Sequence, residues 1–267
     1  MSLNWIDVRD FPFDTLLLFE RFQIQLMCQH AFYADDRRAL GTALRGHPQV
    51  AWYLSRRCPE CAELIVRMIA DAPEAADAAA LRECEVKVLS AVEDFVIYTR
   101  PELMDSCCDF LRGWDAERLL TLADFRGKRV LDVGAGNGRL TLSAATQARE
   151  VYAVEPVETL RAYMIERARR EGVTNVRVTD GLVTRLPYPD GMFDIVMSGH
   201  VVGDDYDGEL AELTRVVKDG GWLIDCPGEN ERRMSPREAL RARGWEEFYY
   251  ESKNGGDVYR YRFQVRK

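Results

Sequence analysis

The residues best placed to do chemistry lie in one short run, residues 130–140, which contains Asp132, Gly134, Gly136 and Gly138. An apolar, β-branched stretch leads into the three alternate glycines, and a helical stretch follows them. Glycine is required where backbone turns sharply or must approach a ligand with no Cβ in the way. Alternate glycines at the C-terminal end of a first strand therefore make a close-fitting floor for a ligand. A dinucleotide site would space them Gly-x-Gly-x-x-Gly. Gly134 and Gly136 fit that pattern, but position 139 is Arg and the third glycine is Gly138. A phosphate-binding P-loop is excluded, because no Gly-Lys-Ser/Thr follows. Glu155, in Val154-Glu155-Pro156, ends the next strand 21 residues beyond Gly134. An acid at that offset suits ribose hydroxyls. The plainer alternative is a glycine-rich turn in an α/β domain that binds nothing.

Other residues have chemistry to offer. His200 follows a fourth strand in Met197-Ser198-Gly199-His200, on the same strand-end face as the glycines. It is a general-base candidate, since imidazole titrates near neutrality; the bland reading is a histidine that merely packs or caps. Tyr206 is a second candidate for a substrate pocket. It sits in the acidic run 203–209, whose carboxylates could hold an amine or a hard cation. The better-supported reading makes Asp207 a helix N-cap and Glu209 a first-turn acid in a solvated loop. His30 reads as a core residue on an apolar helix face, and His47 precedes Pro48 in a loop. Cys58 and Cys61 have the spacing of half a zinc site, with Cys84, Cys107 and Cys108 as further thiols. Cys61, Cys84 and Cys107 also fall on apolar helical stripes, where cysteine behaves as a small hydrophobe, and a second Cys-x-x-Cys is missing. No metal site is therefore expected.

These residues need a scaffold, and the chain changes character near residue 113. Before it, apolar residues recur at helical spacing, as in Phe19, Phe22, Leu26 and Met27, or Cys61, Leu64, Ile65 and Met68. Residues 1–112 read as an all-helical domain of about five helices, with Pro101 starting one of them. From Lys128, strands at 130–133, 151–154, 176–179, 193–197 and 222–226 alternate with helices. Alternation of this kind gives a parallel sheet with right-handed crossovers. Residues 247–252 and 258–266 flank Asn254-Gly255-Gly256-Asp257 and read as a hairpin, so one antiparallel strand ends the sheet.

On these motifs, residues 128–267 resemble the class I methyltransferase family, which uses S-adenosylmethionine. The run from Asp132 to Gly138 resembles its first motif, and Glu155 resembles the acid that holds the ribose. Leu186-Pro187-Tyr188 with Phe193–Val196 resembles the approach to the fourth strand in small-molecule members; Val216–Gly221 is similar to the turn before the fifth. The resemblance implies a Rossmann-like, seven-stranded, mostly parallel sheet with one antiparallel strand. It implies a cofactor site at Asp132, Gly134, Ala135, Gly136, Gly138, Glu155, Pro156 and Ser198. Asp180 with Gly181 is the choice for the adenine contact, although Asp180 precedes Leu186 by six residues, more than the family's usual spacing. Asp132 suits the cofactor's ammonium, whereas a dinucleotide would bring a pyrophosphate.

The domains expected are thus 1–112, helical, and 113–267, binding S-adenosylmethionine. The helical part would serve as a lid shaping the acceptor pocket or as a homodimer interface. A net charge of −8 disfavours a polyanionic partner, so a small-molecule acceptor is favoured over nucleic acid. The Asn/Asp-Pro-Pro-Tyr motif of many nucleic-acid amino methylases is also missing. A protein or RNA methyltransferase and a non-catalytic S-adenosylmethionine-binding module remain the alternatives. No apolar run long enough to span a membrane and no export signal are seen, and the seven cysteines suit a reducing compartment. A cytoplasmic protein is expected.

Overall fold

A computed structural model describes residues 5–29, 34–108, 110–111, 114–228, 235–252 and 255–267. His30, Asn254 and the 112/113 boundary lie outside the described residues. The chain divides into two compact units, Met1–Pro101 and Glu102–Lys267. That division falls earlier than the 112/113 expected from composition.

The first unit is helical: α1 (Arg21–Gln29), α2 (Ala34–Gly46), α3 (Pro48–Arg57), α4 (Ala62–Asp71), α5 (Ala78–Ala91) and α6 (Glu93–Ile97), with short 3-10 turns between. The pieces are shorter and more numerous than five, because Pro48 and Pro59 each open a new helical turn. Proline fits there, as its missing N–H would be unpaired anyway. Helix α7 (Pro101–Cys107) starts at Pro101 and leads into the second unit.

The second unit contains α8 (Ala116–Leu120), β1 (Arg129–Val133), α9 (Arg139–Ala145), β2 (Glu150–Val154), α10 (Glu158–Arg170), β3 (Val176–Thr179) and β4 (Phe193–Ser198). Then follow α11 (Tyr206–Val216), β5 (Val217–Asp225), α12 (Glu238–Ala242), β6 (Glu246–Glu251) and β7 (Asp257–Gln264). Strand order is β3-β2-β1-β4-β5-β7-β6. Strands β1 to β5 pair in parallel, and β7 runs antiparallel to both β5 and β6. The single antiparallel strand is thus inserted before the edge rather than forming it. Leu131, Val133, Val196 and Leu223 pack one face of the sheet; Val130, Ile195, Met197 and Ile224 pack the other. This explains their unbroken apolar runs, since a parallel sheet is covered on both sides.

Strand β5 begins at Val217, five residues before the expected start, so Lys218–Gly221 is not a separate turn. The pairing shifts register between Phe193 and Ile195, and Gly220 has φ +72°. A bulge with a left-handed glycine lets the strand run through a stretch that reads as a turn.

Candidate functional site

The glycine loop is built from the ends of β1 and β2. The Gly134 and Ala135 N–H groups both donate to the Val154 carbonyl, at 2.8 and 3.0 Å. The Glu155 carboxylate completes the tie, accepting the Gly136 N–H at 2.8 Å and the Val157 N–H at 2.9 Å. Gly134, Gly136 and Gly138 all have positive φ, at 66°, 55° and 86°. A Cβ on Gly136 would meet nothing within 4 Å, so that side of the loop faces open space. On Gly138 it would meet Met164 at 2.8 Å, so this glycine is needed for helix packing.

Asp132 is fully buried beneath the loop. Its Oδ2 accepts the Thr141 hydroxyl at 2.6 Å, and its Oδ1 has no hydrogen-bond partner among the described residues. Burial pushes the Asp132 carboxyl up to about 7 against the Thr141 hydrogen bonds, and the neighbouring Glu155 adds to the rise. Burial likewise pushes Glu155 up to about 7, opposed by the Val157 and Gly136 N–H groups. Two buried acids under one loop, with neither carboxylate in an ion pair among the described residues, favour a ligand that brings positive charge and donors. Residues and ligand chemistry match here: the orphaned Asp132 oxygen and the open face of Gly136 suit the ammonium and nucleoside of S-adenosylmethionine.

The remaining sequence candidates scatter around this centre. Asp180 is exposed and lies 3.3 Å from Arg161, whose guanidinium also donates to the Glu155 carbonyl at 2.7 Å. Pro156 is half-buried at the β2 end. Gly181 packs closely on Val154 and Pro187, where a Cβ would sit 2.9 and 3.0 Å away. Ser198, buried at the end of β4, is level with Asp225 at the end of β5. Burial pushes Asp225 up to about 6, countered by the Arg237 guanidinium 3.2 Å from its Oδ2 and by Ser198. The exposed His200 is the non-glycine residue with positive φ, at 62°, among the described residues.

The loop after β4 is held at both ends. The Arg237 guanidinium donates to the Val202 carbonyl at 2.7 Å, and the Gly203 N–H donates to the buried Glu209 carboxylate at 2.8 Å. The acidic run is thus committed to structure, with one correction: the N-cap of α11 is Asp205, not Asp207. Asp205 accepts from the Gly208 N–H, while Asp207 pairs with Arg243 at 2.6 Å. Tyr206, at the start of α11, packs on the core of the sheet with the Arg243 guanidinium 5.6 Å from its ring. Among the described residues, no three His, Cys, Asp or Glu are grouped to hold a metal. Cys58 and Cys61 are buried with their sulfurs 3.2 Å apart.

Sequence reasoning missed Asp105 and Phe110. Asp105 on α7 accepts from Asn137 and Arg139 of the glycine motif, and the Phe110 ring lies 4.7 Å from the His200 ring. Neither residue belongs to a motif, and their partners are distant in sequence. The oddity of an Arg directly after the third glycine was the one available signal.

A methyl group on Gly134 would stand 2.3 Å from Val201 Cγ2, on a backbone already at φ +66°. We expect Gly134→Ala to cost about 2–4 kcal/mol in urea denaturation, from left-handed strain plus overpacking, with part recovered on a Val201→Ala background.

Known proteins resemble this chain over part of its length. The methyltransferase-domain family matches residues 131–225. The chain is 32% identical over 119 residues to the uncharacterized methyltransferase YcgJ of Bacillus subtilis, covering 43% of this chain and 47% of that protein. It is 28% identical over 135 residues to a demethylmenaquinone methyltransferase of Geobacillus, covering 48% of this chain and 58% of that protein. The chain thus spans about half the length of these curated relatives. Among solved structures, a SAM-dependent methyltransferase from Aquifex aeolicus shares the fold with a TM-score of 0.50 and 22% identity, covering 62% of this chain and 96% of that one. Among the described residues, no helix is long and apolar enough to cross a membrane. Loop and sheet order agree with the family match: residues 131–225 of this chain match the methyltransferase-domain family.

Proposed function

We propose that the protein transfers a methyl group from S-adenosylmethionine to a small-molecule acceptor. The observation that carries the reading is the Glu155 carboxylate, buried at the end of β2 and fixed by the Gly136 and Val157 N–H groups. When bound, S-adenosylmethionine supplies a methyl group already activated by its sulfonium. What the chain must add is binding and alignment, which in model systems supply roughly 7–11 kcal/mol of a barrier. Glu155 would take the ribose hydroxyls on its remaining lone pairs, and Asp132 Oδ1 would take the ammonium. The open face of Gly136 allows close approach. Asp180 and Gly181 would border the adenine, beside Pro156. His200, exposed on the loop after β4, is the residue we assign to hold an acceptor proton where one must leave.

Small-molecule chemistry is supported by the net charge of −8 and by the likeness to enzymes named for demethylmenaquinone. The test is to incubate the full chain with methyl-labelled cofactor and three acceptor pools: small phenols, quinols and amines; total RNA; and protein extract. Label in the low-mass pool is expected. Label in RNA or protein alone contradicts the proposal, and cofactor binding with no label anywhere indicates a binding module.

The raised carboxyls add a pH dependence. Below about 7 Asp132 and Glu155 hold protons in the free protein, and a cationic ligand must displace them. Binding should therefore release protons and tighten as pH rises, by about threefold to tenfold between roughly pH 6 and 8. Calorimetry with S-adenosylhomocysteine in two buffers of different ionisation heat checks this; affinity that falls with rising pH would refute it. In the ligand-free protein the same shifts act against folding: stability contributed at low pH is lost as pH rises from the unfolded carboxyl range through about 7.

A further inference from the structure

The glycine motif is held from outside by a residue that belongs to no motif. Asn137 stands between Gly136 and Gly138, both at positive φ, and it is the one residue of that triplet with a side chain. It is buried, and its amide Nδ2 donates to Asp105 Oδ1 at 2.6 Å. The Arg139 guanidinium donates to the same oxygen. Arg167, from α10, reaches Asp105 Oδ2 at 3.4 Å and the Asn137 carbonyl at 3.5 Å, while its Nε donates to Glu171 at 2.9 Å. One carboxylate on α7 therefore gathers donors from the loop, from the first turn of α9 and from α10.

The arrangement has a consequence for binding. Flanking glycines leave a loop many accessible backbone states, and ordering them costs entropy whenever a ligand binds. A loop already ordered by an outside anchor avoids that cost. Charge also matters, because Arg139 and Arg167 both face Asp105; without it Arg139 would lose this carboxylate partner and Arg167 would keep Glu171, leaving more positive charge beside the site. The geometry points to Asp105 as a positioning residue for the cofactor, acting through Asn137 and Arg139 on the amino-acid end of the site. This inference rests on the S-adenosylmethionine reading. The amino-acid end is meant because Asp105 grips the Asn137 side of the loop, whereas the ribose side is fixed separately by Glu155.

The test uses the full chain and two probes, S-adenosylhomocysteine and 5′-methylthioadenosine, which lacks the amino-acid end. Asp105→Ala is expected to weaken S-adenosylhomocysteine by about tenfold or more while changing 5′-methylthioadenosine by less than about threefold. A smaller loss for the first probe, or an equal loss for both, overturns the inference. A purely structural role would move both probes together. Should Asp105→Ala fail to fold, the exchange Asp105→Asn with Asn137→Asp decides, since it keeps one carboxylate and one amide in the cluster. Affinity for S-adenosylhomocysteine within about threefold of the parent supports the inference, and a larger loss overturns it. Failure of the unmodified chain to bind either probe contradicts the cofactor reading itself, and so is distinguishable from both outcomes.

Discussion

The site depends on one buried carboxylate. Glu155 is 4% exposed, yet among the described residues no ion pair lies close enough to neutralise it; its oxygens are taken by the backbone N–H groups of Gly136 and Val157. A carboxylate removed from water must be hydrogen-bonded or it gives up its charge. Here both things happen in part: backbone donors hold it, and burial still raises its pKa. The result is a joint between the end of β2 and the glycine loop that is firm in geometry, with Arg161 nearby but not paired to the Glu155 carboxylate among the described residues. A cationic, hydroxyl-bearing ligand is the natural complement of such a joint.

The sheet brings the pieces to the joint. Parallel pairing of β1 with β2 and β4 sets Val133 level with Val154 and Ser198, so three strand ends open on the same rim. The loop after β4 then packs Val201 against Gly134, where a side chain on the glycine would collide. Glu209 and Arg237 hold that loop from α11 and from the segment before α12. Asp225 lies at the next strand end, bound to the same Arg237. The glycine loop and the loop after β4 are thus fixed by different residues, though they touch at one glycine.

Much of this was legible in the sequence, for a physical reason. The strands and the glycine loop are local: apolar period and the glycine requirement at positive φ are written where they act. Residue type and spacing alone therefore suffice to place Asp132, Gly136 and Glu155. What could not be read depends on partners far apart in the chain. Asp105 meets Asn137 and Arg139 across 32 and 34 residues, and α7 looks like any short amphipathic helix. The N-cap of α11 is Asp205 and not the expected Asp207 because either residue type can cap, and a shift of two residues decides which side chain reaches the Gly208 N–H. Likewise β5 runs through Gly220 because a bulge absorbs it, whereas a glycine pair ordinarily reads as a turn.

Because Glu155 joins the glycine loop to the end of β2, the most direct measurement is calorimetric binding of S-adenosylhomocysteine to the parent chain and to Glu155→Gln. Glutamine keeps the size but has one acceptor oxygen for two N–H groups and the ribose hydroxyls. One bound ligand per parent chain, weakened about a hundredfold in the folded variant, is the predicted result. A folded Glu155→Gln chain that binds S-adenosylhomocysteine as tightly as the parent would contradict this role for Glu155.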